Sequence, residues 1–246
     1  MATDVAPAPP ESVVALEFPD GTCLARWLCT PERVTDLALG WLFLEGLIEG
    51  PVAVTRFDPI SPERMIVRFR DENRVRQAFA SRTGEVGPAP SMPFPVPPPS
   101  SVSPVPRRAK TTESGPDPAP DDSLAGRSLL GELFTEMFER TPLKKRHGGG
   151  LHTGAHVIDD SVRDVVEDVS RSAVVDKLVG AGLREGTLGP SSLFLLSGRI
   201  SATIAGKLAR AGIGAAATIS VPTDLAVEIA GTAGVSIVGR ARRETP

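Results

Sequence analysis

Val13 to Phe18 and Thr22 to Leu28 are two β-rich runs joined across Asp20-Gly21, the turn chemistry of a β-hairpin. Thr30 stands before Pro31 and Glu32, the order of an N-cap, a first-turn proline and an acid at the positive helix end. A helix is therefore predicted from there to about Ile48. Its apolar residues Val34, Leu37, Ala38, Trp41, Leu42 and Leu44 form one broad face, and Gly46 and Gly50 weaken its end. Val52 to Phe57 and Met65 to Phe69 read as strands, and Asp71 to Ala80 as a short helix. Residues 13–80 are expected to form an α+β unit behind a disordered tail over 1–12.

The patterning stops at Ser81 and resumes near Ser123. Half of the 24 prolines fall between Pro88 and Pro120, and Pro97-Pro98-Pro99 with Pro104 and Pro106 favours an extended, solvated chain. Residues 81–122 are expected to be a Pro-rich mobile loop. Ser123 is placed to cap a helix running to Arg140, whose Leu129, Leu130, Leu133, Phe134, Met137 and Phe138 recur at helical spacing as a core-facing stripe. Beyond it, strand-like and helical patterns alternate. His152 to Ile158 and Val162 to Val166 flank Asp159-Asp160; Leu193 to Leu196, Ala215 to Ile219 and Val235 to Val238 are further strands. Ser170 to Leu183, Ile200 to Ala211 and Asp224 to Ala230 are helices. Residues 123–246 thus read as a layered α/β domain with partly parallel strands, and the turns after its strands are where a ligand is expected.

Hydrophobic residues make up 41% of the chain and charged residues 23%, enough to bury a core and to exclude wholesale disorder. A net charge of −3 supplies no concentrated positive field, so nucleic acid is not the expected partner. No apolar run approaches the ~18 residues of a membrane span, and Met1 to Glu11 lacks the basic start of a secretory signal; a cytoplasmic protein without membrane contact is expected. Cys23 and Cys29 have neither metal-site nor redox-pair spacing and read first as small buried hydrophobes.

Candidate chemistry collects in a few places. His147, His152 and His156 lie in one window, and a divalent metal held by all three would make a metal-assisted hydrolase. The window lacks a His-Glu-x-x-His pattern. Lys144-Lys145-Arg146 next to Gly148-Gly149-Gly150 could let backbone N–H groups approach an anion. Ser197-Gly198-Arg199 brings a hydroxyl, a permissive glycine and a guanidinium to the start of a helix. Arg240, Arg242 and Arg243 add a basic tail, and Cys29 just before a helix start is the better placed of the two thiols for a lowered pKa.

In combination these stretches resemble the FdhD family, the sulfurtransferase accessory proteins of formate dehydrogenase maturation. The resemblance is carried by Asp36 to Ile48, Ser81-Arg-Thr-Gly84, Gly150-Leu-His-Thr-Gly-Ala155, Glu167-Asp-Val-Ser-Arg171 with Asp176-Lys-Leu178, Ser197-Gly-Arg199, and Pro222 to Glu228 leading to Val238-Gly239. It implies a cytidine-deaminase-like fold for the C-terminal domain without that enzyme's zinc motif. It also implies a guanine-dinucleotide molybdenum cofactor bound as client, and sulfur passed to it from a cysteine desulfurase before insertion into formate dehydrogenase. The implied cofactor contacts are His152, Asp168, Arg171, Ser197, Arg199, Arg240, Arg242 and Arg243.

The family's Cys-x-x-Cys after Arg-Thr-Gly is replaced here, with Glu85 and Pro88 in the cysteine positions, which leaves Cys29 as the fallback sulfur carrier. Alternative readings are a cofactor-binding or scaffolding relative that no longer transfers sulfur, the histidine-based hydrolase, and an interaction module whose Pro-rich segment recruits an aromatic-lined groove. The apolar stripe of the 123–140 helix would also permit a homodimer.

Overall fold

The computed structural model describes residues 6–83 and 124–241; the expectations for Glu85, Pro88, the Pro-rich segment, Ser123, Arg242 and Arg243 lie outside them. In chain order the elements are β1 (Ser12–Glu17), β2 (Cys23–Cys29), α1 (Val34–Leu44), β3 (Val54–Ser61), β4 (Arg64–Phe69), α2 (Glu72–Thr83), α3 (Leu124–Glu139) and α4 (Pro142–His147). They continue with β5 (His152–Ile158), β6 (Ser161–Asp168), α5 (Arg171–Glu185), β7 (Leu193–Leu196), α6 (Ala202–Ala211), β8 (Ala215–Thr218), α7 (Asp224–Ala233) and β9 (Ser236–Val238).

Two units share these elements, and neither is continuous in sequence. One joins the N-terminal part of the chain to Pro142–His152 and Glu167–Gly186; the other takes α3, Thr153–Val166 and the chain from Thr187. The boundary expected at residue 123 therefore does not separate them. The reason lies in the packing of α1 on α5. A Cβ on Gly40 would fall 1.9 Å from the Asp176 carbonyl oxygen, and one on Gly180 would fall 1.9 Å from that of Asp36. Two side-chain-free positions let the helix backbones touch, which draws α5 into the first unit.

The first unit carries a sheet in the order β2-β1-β4-β3, with β1 antiparallel to β2 and parallel to β4. The β1–β2 turn is as expected: Gly21 has φ +86°, and Asp20 Oδ1 accepts from Thr22 N at 2.9 Å. Leu16, Phe18, Ala38, Leu42 and Val67 form the core between the sheet and α1. The start of α1 departs from expectation. The helix begins at Val34 behind Arg33 in the left-handed region (φ 57°), and the Thr30 hydroxyl, expected to cap it, instead accepts from Val169 N at 3.1 Å. Residues 6–11 also differ from a loose tail, because the Pro7 carbonyl lies 2.9 Å from His147 Nδ1.

The second unit is built on the sheet β6-β5-β7-β8-β9, in which β5 is antiparallel to β7 while β7, β8 and β9 are mutually parallel. The predicted stripe of α3 is core: Leu130, Leu133, Phe134 and Met137 are buried with Ala155, Val157, Leu195 and Ala217. Each of the buried leucine, valine, phenylalanine and methionine side chains contributes about 1.5–3 kcal/mol. Helices α6 and α7 end on Gly212 and Gly234, both in the left-handed conformation that terminates a helix without a Cβ penalty.

Candidate functional site

In the first unit, β6 ends at Glu167-Asp168 and Val169-Ser170 turn the chain into α5. The Ser170 hydroxyl accepts from Ala173 N at 3.3 Å and caps the helix. Beneath this turn Asp168 and Lys177 are 0% and 1% exposed, with Nζ 2.6 Å from Oδ2. Asp168 Oδ1 accepts from Ser170 N at 2.7 Å, and Lys177 Nζ donates to the Thr30 carbonyl at 3.0 Å. No donor is aimed at Asp168 Oδ2 with hydrogen-bond geometry among the described residues, so the ammonium holds it as an ionic contact. Burial pushes the Asp168 carboxyl up, while the Lys177 charge and the Ser170 N–H pull it down.

Within electrostatic reach of one another are exposed Arg171 at the first turn of α5, half-buried His152 at the start of β5, and Asp168. Burial holds the His152 imidazole below its usual pKa, and the positive charges of Arg171 and Lys144 lower it further. Lys144 comes from α4, a helix that was not among the elements expected from the sequence. The Glu167 carboxylate accepts from Leu143 N at 2.9 Å and Lys144 N at 2.7 Å, a cap supplied from a distant strand that local sequence could not announce. Gly148, Gly149 and Gly150 follow, all at positive φ. The result is a cationic cluster of Lys144 and Arg171 around His152, whose imidazole is held toward its neutral form, suited to an anionic ligand.

The second unit presents the carboxyl ends of its parallel strands. Thr153 N donates to Ser197 Oγ at 2.8 Å, Thr218 Oγ1 donates to the Gly198 carbonyl at 2.7 Å, and Ser220 N donates to Thr218 Oγ1 at 3.0 Å. Arg240, in the left-handed region at φ 54°, donates its N–H to the Ser220 carbonyl at 2.7 Å. Ser197, exposed Arg199 and exposed Arg240 thus share one end of one sheet, where ligands of open α/β sheets bind. The Thr153 hydroxyl, 1% exposed, makes no hydrogen bond among the described residues.

The candidate residues accordingly fall into two groups: His152, Asp168 and Arg171 in one unit, Ser197, Arg199 and Arg240 in the other. Asp168 is enclosed and engaged with Lys177 rather than open to a ligand. Cys29 is fully buried against Val14, Leu37 and Ala173, and burial, then the Asp168 charge, pushes its thiol to about 12. The expected lowering by a helix start is absent because α1 begins five residues later, and burial instead disfavours the thiolate that sulfur transfer needs. Nor do the histidines converge. His147 bonds Pro7, and His156 sits 2.8 Å from Ser192 Oγ against the Phe194 ring. No group of three metal-ligating side chains exists among the described residues. Sequence reasoning gave Lys177 no role of its own; its place among Ala173, Val174, Leu178 and Ala181, on an otherwise apolar face, was the available signal.

Comparison with known proteins accords with this mixed α/β architecture. A crystal structure of a chain described as a formate dehydrogenase accessory protein, from Desulfotalea psychrophila, superposes with a TM-score of 0.67 over 96% of this chain and 84% of its own, at 17% identity, which establishes the fold. The sulfur carrier protein FdhD of Anaeromyxobacter sp. (strain K) is 33% identical over 94% of this chain and 84% of its own length; that of Listeria monocytogenes serovar 1/2a is 26% identical over 93% and 86%. The FdhD/NarQ family model matches residues 10–246. The chain belongs to the FdhD/NarQ family.

Proposed function

We propose that this chain serves formate dehydrogenase maturation as a sulfur carrier, the role that its relatives' names state. Its client in this reading is the guanine-dinucleotide molybdenum cofactor, its sulfur comes from a cysteine desulfurase, and it works in the cytoplasm. Among the described residues no helix is long and apolar enough to cross a membrane. The observation that carries the proposal beyond family membership is the Lys144, His152 and Arg171 cluster: three cationic or polarisable groups beside a glycine loop, suited to phosphate oxygens. Ser197, Arg199 and Arg240 at the second unit's strand ends supply the same chemistry there. The order β6-β5-β7-β8-β9 with β5 antiparallel to β7 supports a cytidine-deaminase-like assignment for the second unit.

A persulfide needs a thiol that a donor can reach. Of the described cysteines that is Cys23, partly exposed, with Sγ donating to the Ala25 carbonyl at 3.4 Å. A second reading, binding of the cofactor without transfer, is favoured by Glu85 and Pro88 in place of the family's cysteine pair. One experiment separates them. With desulfurase and labelled cysteine, the carrier reading expects label on the wild type and on Cys29→Ser but not on Cys23→Ser; an unlabelled wild type that still binds GDP, weakened in Arg171→Ala or Arg199→Ala, leaves only the second. A wild type that neither takes label nor binds GDP overturns both.

A further inference from the structure

We propose that the buried Lys177–Asp168 pair is a positioning device, retained because it fixes the turn from β6 into α5 and thereby the placement of Arg171 in the cationic cluster. The proposal rests on the anion-binding reading above.

Stability does not explain the pair. Both side chains are within 1% of complete burial, and taking two charges out of water costs about as much as their attraction returns, so well-packed apolar residues of similar volume serve a core at least as well. What the pair does that an apolar substitute could not is hold backbone. Asp168 Oδ1 takes the Ser170 N–H at 2.7 Å, and Lys177 Nζ takes the Thr30 carbonyl at 3.0 Å. The Thr30 hydroxyl in turn takes the Val169 N–H at 3.1 Å, and the Ser170 hydroxyl caps the helix through Ala173 N at 3.3 Å. Residues 168, 169 and 170 are thus each tied by a polar contact that leads back to one ion pair or to Thr30, and the next residue is Arg171. Asp168, expected from the resemblance to touch the cofactor, acts through its neighbours.

The test uses the full chain with Asp168→Leu/Lys177→Met, which removes both charges. Thermal unfolding near that of the wild type shows that the pair is dispensable for stability. Two further readouts report position. GDP binding is expected to weaken about tenfold or more, the usual effect of loosening a supporting contact behind a binding group. The His152 imidazole, followed by NMR titration, is expected to move up toward the ordinary imidazole value without reaching it, because burial still lowers it. The variant deletes two opposite charges 2.6 Å apart, so their direct effects on His152 largely cancel, and Arg171→Ala gives the rise expected for a displaced guanidinium. Should the double variant not fold, Thr30→Val keeps both charges, removes the Val169 acceptor and is expected to shift both readouts in the same directions by less. Wild-type affinity together with an unmoved His152 titration overturns the proposal. A wild type that does not bind GDP refutes the anion-binding reading, while the His152 titration still decides the positioning role.

Discussion

Replacing Gly40 by alanine puts a methyl group 1.9 Å from the Asp176 carbonyl oxygen and 2.8 Å from Gly180 N, where ordinary contact begins at 3.4 Å. The atoms it meets are backbone of α5, so no side-chain rotation relieves the clash and α1 must lift by roughly 1.5 Å. Lifting it over a turn opens a void on the order of 50–100 Å³, which costs about 1–2.5 kcal/mol at ~24 cal/mol per Å³. Residual strain adds ~1–3 kcal/mol, and the better helix propensity of alanine returns ~1 kcal/mol. The expected outcome is a net loss of about 2–3 kcal/mol, measured by urea unfolding monitored by circular dichroism. Gly206→Ala in α6 is the control, because nothing lies within 4 Å of its Cβ. There the propensity gain stands alone, and stability should rise by up to ~1 kcal/mol. Gly180→Ala should behave like Gly40→Ala, and the two together should cost less than their sum because one separation relieves both. A Gly40→Ala protein as stable as the wild type would refute direct backbone contact between α1 and α5.

Burial also holds His156 below its usual 6.5, so between 6.5 and its folded value the unfolded chain binds more protons. Its contribution to stability is complete above 6.5 and is lost as pH falls below it; unfolding midpoints measured from pH 7.5 to 5 should decline, and less steeply in His156→Gln. Glu167→Ala removes the carboxylate that receives the Leu143 and Lys144 N–H groups and should destabilise by about 1–3 kcal/mol, with faster hydrogen exchange at those two amides.

Several elements were legible in the sequence because their causes are local. The Asp20-Gly21 turn, the start of α5 near Ser170, the buried stripe of α3 and strands β5 and β7 follow from turn chemistry and periodicity within a dozen residues. The candidate residues were legible as types, basic and hydroxyl groups at strand ends. Which of them could meet a ligand was not: Arg171 is exposed while Asp168, three residues away, is sealed against Lys177.

The sequence by itself determined the alternation of apolar and polar positions, and with it the elements, the faces they bury and the family the chain resembles. Tertiary structure decided the rest, since it depends on bonds between residues far apart. Thr30 lost its capping role to Val169, residues 142–147 became helical under Glu167, and Gly40 met Gly180 to bring α5 into the first unit. Burial did the same for chemistry: a cysteine that looked poised before a helix is a protonated thiol, and Lys177, given no role by the sequence, is sealed against Asp168 in the turn that leads to Arg171. Periodicity reports the side of an element that is apolar; only packing fixes what that side is pressed against, and hence the charge and reactivity of the groups enclosed there.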